Sequence, residues 1–93
     1  MIKIVVISSR AKKDLGRVPG YIADKLLAWV KRVESVGVED VRLLKGYHDE
    51  PLHGPRKGQR SIRLSRSYRA IYLIKEGGSV EFISVEEVNK HAY

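Results

Sequence analysis

The chain has 93 residues, with 18 Lys and Arg against 11 Asp and Glu, and a formal net charge of +7 at pH 7. This length predicts a single domain over residues 1–93. The absence of cysteine excludes a disulfide framework, a thiol nucleophile and a Cys-ligated metal. No apolar run approaches the roughly 20 residues of a membrane-spanning helix, and no signal-peptide pattern is present, so we expect a cytoplasmic protein without a membrane partner.

The beginning of the chain predicts a strand and a short helix. Residues 2–7 are mostly β-branched and apolar, which is typical of a buried strand. Ser9 is a candidate N-cap for a helix over 10–16, because its hydroxyl can accept a backbone hydrogen bond from the first turn.

A second, longer helix is predicted over 21–36. Pro19 suits its first turn, where a backbone N–H is not needed, and Gly37 suits the position just past its end. Apolar residues recur at steps of three and four, so they lie on one face of the helix. They are Ile22, Leu26, Trp29, Val30 and Val33. We expect this face, including the tryptophan, to pack in the core.

The second half of the chain predicts three strands, over 61–64, 68–74 and 80–85, after a loop over 45–55. Residues 86–93 are predicted to form a short C-terminal tail that can become helical. The order β-α-α-β-β-β plus this element predicts an α+β fold. We expect a small, antiparallel-rich twisted sheet with the two helices packed on one face.

The positive charge is concentrated in an interval between Glu50 and Glu76 that contains no acidic residue. Basic residues that are clustered among strand-forming residues indicate a surface for a polyanion. A basic surface that only confers solubility is the alternative interpretation. The interval contains Arg56, Lys57, Arg60, Arg63, Arg66, Arg69 and Lys75.

Arg63 and Arg69 form a candidate pair within this interval. If the hairpin turns around Arg66 with a loop of odd length, the two arginines lie directly opposite each other on neighbouring strands. Like charges in that position destabilise a sheet by up to about 1 kcal/mol, which favours an anion between them. A phosphate suits two guanidinium groups. A loop of even length would separate the pair.

His91 and Tyr93 are candidates for acid–base chemistry and for base stacking or phosphate binding, respectively. A histidine titrates near neutral pH and can therefore take or give a proton. The two side chains would point the same way in an extended tail but would diverge by about 200° in a helix. The alternative is a polar tail residue and a ring packed on the sheet edge. With three histidines and no H-x-x-x-H pair, the sequence predicts neither a metal nor a cofactor.

Two other histidines precede the basic strands. His48 lies beside Asp49 and Glu50, where we expect a local hydrogen-bonding role. His53 precedes a basic, glycine-flanked loop whose backbone can approach a phosphate chain. This loop lacks the G-x-x-x-x-G-K-[ST] spacing of a nucleoside-triphosphate site.

The run over 57–72, with its Y-R-x-I-Y strand, and the ending H-x-Y resemble the RelE/HigB-type toxins of bacterial type II toxin–antitoxin modules. The resemblance covers nearly the whole chain. It implies a metal-independent endoribonuclease that cuts mRNA in the ribosomal A site by attack of a 2′-OH on the adjacent phosphate, and so arrests translation. It also implies a hetero-oligomer with a cognate antitoxin.

The same resemblance implies roles for individual residues. Arg63 and Arg69 hold the scissile phosphate, His91 transfers protons, and Tyr93 orients or stacks on a base. The residues implied to bind RNA are His53, Arg56, Lys57, Arg60 and Arg66. His53 is also a reserve acid or base.

Two other functions stay open. ParE-type toxins share the fold and inhibit DNA gyrase without cutting RNA, and an inactive homologue would keep only RNA or antitoxin binding. The ending His91-Ala92-Tyr93 favours cleavage.

Overall fold

The computed structural model describes residues 1–88, so His91 and Tyr93 lie outside the described residues. The helices are α1 (Ser9–Leu15), α2 (Gly20–Val36) and α3 (Val38–Val41). The strands are β1 (Ile4–Ile7), β2 (Glu50–Pro51), β3 (Gln59–Arg63), β4 (Tyr68–Ile74) and β5 (Ser79–Glu87). Single 3₁₀ turns over Lys45–Tyr47 and Gly54–Arg56 precede β2 and β3.

The strands form one sheet in the order β1-β5-β4-β3-β2. β1 runs parallel to β5, and every other neighbouring pair is antiparallel. The helices pack on one face of this sheet, so the predicted α+β fold with an antiparallel-rich sheet is confirmed. No helix within residues 1–88 has the length and hydrophobicity needed to cross a membrane.

Three details differ from the prediction. β1 is an edge strand, and the side chains of Ile4 and Val6 are exposed because they project from the face that no helix covers. The short strand β2 lies inside the predicted loop and is too brief to give a hydrophobic pattern. Glu86 belongs to β5 and not to a tail, because β5 stays paired with β4 as far as Glu87.

The helix ends follow local capping chemistry. Ser8, one residue before the predicted cap, accepts a hydrogen bond from the backbone N–H of Ala11 at 3.1 Å and begins α1. Gly37 ends α2 with a φ of 92°, a conformation that favours glycine. A side chain at this position would also collide with Met1.

Three aromatic residues join α2 to the middle of the sheet. Trp29 of α2 lies with its ring centroid 5.3 Å from Tyr72 of β4 and 5.2 Å from Phe82 of β5. The rings are tilted or edge-on, and all three residues are fully buried. The predicted core role of Trp29 is confirmed, and its packing fixes α2 over β4 and β5.

Replacing Trp29 by alanine should lower the free energy of unfolding by about 3–5 kcal/mol, because it leaves a cavity between the helix and the sheet. Tyr21→Ala on the same helix is the control, since Tyr21 is exposed; we expect it to change the stability by less than about 0.5 kcal/mol. Urea denaturation measures both. Equal losses for the two variants would contradict this account of the core.

Candidate functional site

Strand register places three charged residues in one row on the uncovered face of the sheet. Arg63 of β3 lies opposite Arg69 of β4, and Arg69 lies opposite Glu86 of β5. Ala70 and Tyr72 of β4 belong to the core beneath the helices. Because side chains alternate along a strand, Arg69 projects from the other face. The predicted pairing of Arg63 with Arg69 is therefore confirmed.

Glu86 supplies an anion to this row. Its carboxylate accepts hydrogen bonds from Arg69 Nη2 at 3.2 Å, from Arg56 Nη1 and Nη2 at 3.2 and 2.9 Å, and from Ser84 Oγ at 3.0 Å. Burial alone would raise the pKa of Glu86, but the hydrogen bonds from Arg56, Ser84 and Arg69 outweigh it and lower the pKa. Glu86 is thus held as a carboxylate between two arginines.

The carboxylate of Glu86 does not lie between Arg63 and Arg69, where the sequence predicts an anion. Glu86 flanks Arg69 on the β5 side, whereas Arg63 lies on the β3 side. Among residues 1–88, Arg63 makes no ion pair within 4.0 Å, and its side chain is exposed. The Nε of Arg69 is buried and has no hydrogen-bond acceptor among the same residues. The pair therefore keeps positive charge and donor capacity for a further anion.

A cleft of about 190 Å³ opens beside the two arginines. Its lining consists of His48, Glu50, Ser61, Arg63, Arg69 and Val88. Glu50 enters it because β2 pairs with β3 in a register that sets Glu50 opposite Ser61. Glu50 has no function predicted from the sequence, and His48 is predicted only to form local hydrogen bonds. The single available signal was the position of Glu50 at the border of the interval without acidic residues.

Arg60, predicted to bind RNA, is engaged in a buried ion pair. Its Nε lies 2.7 Å from Oδ1 of Asp49, whose side chain is fully buried. Burial lowers the pKa of Arg60, but the hydrogen bond and charge of Asp49 more than compensate and raise it. The hydroxyl of Tyr72 donates to the other oxygen of Asp49, and burial followed by this carboxylate raises the pKa of Tyr72 to about 12.

The other residues predicted to bind RNA are at separate positions. Arg56, in the turn before β3, is paired with Glu86 of β5, although β4 lies between β3 and β5. His53 and Lys57 flank the same turn, and both are exposed. Arg66 is exposed in the connection between β3 and β4. Of the predicted site residues within 1–88, Arg63 and Arg69 alone line the cleft.

This fold and this sequence have relatives among known proteins. A family model described as the ParE toxin of type II toxin–antitoxin systems, parDE, matches residues 5–88. The chain belongs to this family. The resemblance seen in the sequence is thereby confirmed at the level of the RelE/ParE superfamily of toxins. A comparison with curated proteins returned no significant match.

Several solved structures share the fold of this toxin. An archaeal RelE–RelB complex from Pyrococcus horikoshii OT3 matches with a TM-score of 0.73 and 21% identity, over 97% of this chain and 99% of that one. A YoeB/ParE toxin from Agrobacterium tumefaciens matches with a TM-score of 0.69 and 18% identity, over 90% and 96%. The RelBE2 complex from Mycobacterium tuberculosis matches with a TM-score of 0.60 and 23% identity, over 94% and 99%.

Glu86→Gln should destabilise the toxin at neutral pH by about 1–3 kcal/mol, because it removes a charged acceptor of four hydrogen bonds. The pKa of Glu86 is lower in the folded state than its ordinary value of 4.5, so its stabilisation is present above that pH. It is lost as the pH falls through the lowered pKa. The difference between wild type and variant should therefore shrink in acid.

Urea denaturation at several pH values measures this difference. The matched control is Glu34→Gln, which removes an exposed carboxylate on α2. A difference for Glu86→Gln that is independent of pH down to about pH 3 would contradict the role given to the ionised carboxylate.

Proposed function

We propose that this toxin is a metal-independent endoribonuclease that cuts mRNA in the ribosomal A site. The observation that supports this function best is the opposed pair Arg63 and Arg69 beside a polar cleft. Two opposed guanidinium groups are poorly placed for sheet stability and well placed for a phosphate. The structural relatives named RelE and YoeB place the same fold among toxins.

The proposed reaction needs three groups. The 2′-oxygen attacks the adjacent phosphorus and loses its proton to a base, while the bond from phosphorus to the 5′-oxygen breaks. The leaving 5′-oxygen takes a proton from an acid, and the products are a cyclic phosphate and a 5′-OH. Arg63 and Arg69 stabilise the negative charge that develops on the phosphoryl oxygens. Glu86 keeps the Arg69 guanidinium oriented for this contact.

Glu50 is a proposed base, since its carboxylate lines the cleft beside both arginines. His91 is the proposed acid. Val88, the last described residue, also lines the cleft. His91 follows Val88 by three residues, a length of chain that spans at most about 11 Å. Tyr93 is proposed to orient or stack on a base. His53 stays a reserve acid or base because it is exposed outside the cleft lining.

The RNA backbone is proposed to run over exposed basic residues outside the cleft lining, namely His53, Lys57 and Arg66. Arg56 and Arg60 contribute indirectly, because each is paired with a carboxylate. Arg56 holds Glu86, while Arg60 holds Asp49. Neutralising these two arginines should therefore affect folding as well as RNA binding.

A cognate antitoxin is the second proposed partner, in a hetero-oligomer. One structural relative is the toxin–antitoxin complex RelBE2, and another is a RelE–RelB complex. A chain with a net charge of +7 favours a partner segment that carries negative charge. We propose that this segment covers the cleft and so blocks access to RNA.

Inhibition of DNA gyrase is the competing function, and the match to the ParE family model favours it. The purified toxin distinguishes the two functions when it is added in parallel to ribosomes programmed with mRNA and to a gyrase supercoiling assay. We expect cuts in ribosome-bound mRNA with cyclic-phosphate ends and unchanged supercoiling. Intact mRNA together with inhibited supercoiling would establish the alternative.

Arg63→Ala should slow mRNA cleavage by about 100- to 1000-fold, because it removes one of two groups that stabilise the transition-state charge. The fold should be kept, since Arg63 is exposed. Arg17→Ala, an exposed arginine between α1 and α2, is the matched control and should cleave like wild type. Equal rates for the two variants would contradict the site assignment.

A further inference from the structure

Asp49 is a fully buried carboxylate just outside the cleft. Its Oδ1 accepts a hydrogen bond from Arg60 Nε at 2.7 Å, and its Oδ2 accepts one from the Tyr72 hydroxyl at 2.5 Å. The Tyr72 hydroxyl in turn accepts a hydrogen bond from Arg42 Nε at 3.4 Å. A buried charge is costly unless its oxygens are bonded, and here each oxygen has a strong donor.

The position of Asp49 is set by the core. The ring of Tyr72 packs against both Trp29 and Phe82, with centroids 5.3 and 5.5 Å away, so its hydroxyl has little freedom to move. Arg60 belongs to β3, whose pairing with β4 sets Arg60 opposite Tyr72. Two donors on neighbouring strands therefore hold one carboxylate from a segment that makes only a two-residue strand of its own.

The residues on either side of Asp49 both line the cleft. His48 precedes it in the left-handed conformation, with φ 45° and ψ 50°, which few residues other than glycine adopt. Glu50 follows it in β2. A backbone in this conformation persists only when surrounding contacts hold it in place. On the preceding side, the backbone N–H of His48 donates to the carbonyl of Lys45 at 3.1 Å, and on the following side the bonded carboxylate of Asp49 holds the chain.

We propose that Asp49 is a positioning residue that presents His48 and Glu50 to the cleft. The effect on catalysis rests on the proposed function, whereas the effect on the geometry of the segment does not. Asp49 itself points away from the cleft and does not contact substrate. Because Tyr72 and Arg60 hold its carboxylate in place, the backbone on either side keeps His48 and Glu50 beside Arg63 and Arg69.

Two variants weaken the anchor in different ways. Asp49→Asn keeps the shape but replaces one carboxylate oxygen by an NH₂ group, which donates and does not accept, so Arg60 and Tyr72 no longer both have an acceptor. Tyr72→Phe removes one hydroxyl and keeps the packing of the ring against Trp29 and Phe82. We expect each to lower kcat for mRNA on ribosomes by about 10- to 100-fold, as misplacement of reacting groups does, with KM unchanged.

The controls separate positioning from stability. Tyr21→Phe removes an exposed hydroxyl, and Ile22→Val removes a buried methyl group from the helix face in the core. Both should keep the wild-type kcat at temperatures where the protein is folded. The kcat of Tyr72→Phe and of Ile22→Val is measured for each variant at the same number of degrees below its own Tm. If the two variants have the same kcat, the proposal is wrong.

Amide hydrogen exchange over residues 48–50 gives a readout that does not need activity. Asp49→Asn and Tyr72→Phe should speed exchange in this segment by at least about tenfold while β4 exchanges as in wild type. Unchanged exchange in both variants would overturn the proposal. If wild type does not cut mRNA at all, the proposed function fails, and this exchange measurement alone decides whether Asp49 holds the segment.

Discussion

The register of β4 between its two neighbours decides which side chains meet at the site. β4 is hydrogen-bonded to β3 on one side and to β5 on the other. Arg63, Arg69 and Glu86 are therefore aligned in a row across the three strands. Because side chains alternate along β4, Tyr72 points from the opposite face into the core. A slip of one residue would exchange the two faces, so the same register that packs the aromatic cluster also builds the charged row.

The basic residues divide into two groups by their partners. Arg56 and Arg69 share the carboxylate of Glu86, and Arg60 pairs with Asp49. These pairs tie a turn and a short strand to the sheet, so part of the positive charge serves the fold. Within residues 1–88, Arg63, Lys57 and Arg66 have no ion pair and remain for a partner. The net charge of +7 thus overstates how many cations can bind a polyanionic partner without breaking an ion pair of the fold.

Features with a local or periodic pattern of residues could be predicted from the sequence. The face of α2, the glycine that ends it and the bounds of β4 follow from spacing along the chain. The opposition of Arg63 to Arg69 is predicted only for a hairpin loop of odd length, and the register shows that pairing. Features that depend on pairing between residues far apart in the chain could not be predicted. β2 has two residues and exists only because β3 is beside it, so the entry of Glu50 into the cleft had no pattern to reveal it. Likewise, the capture of Arg60 by Asp49 depends on a contact between a loop and a strand that charge counting cannot detect.

The central claim is that Arg63 and Arg69 bind an RNA phosphate on the uncovered face of the sheet. The most direct measurement is an NMR titration of the toxin with a short RNA that has a 2′-O-methyl group before the scissile phosphate, because this RNA lacks the nucleophile and cannot be cut. We predict that the side-chain signals of Arg63 and Arg69 and the backbone signals of Ser61 and Glu50 shift together, while those of the outer face of α2 stay unchanged. Shifts confined to the helices, with the two arginine signals unmoved at saturation, would contradict the account.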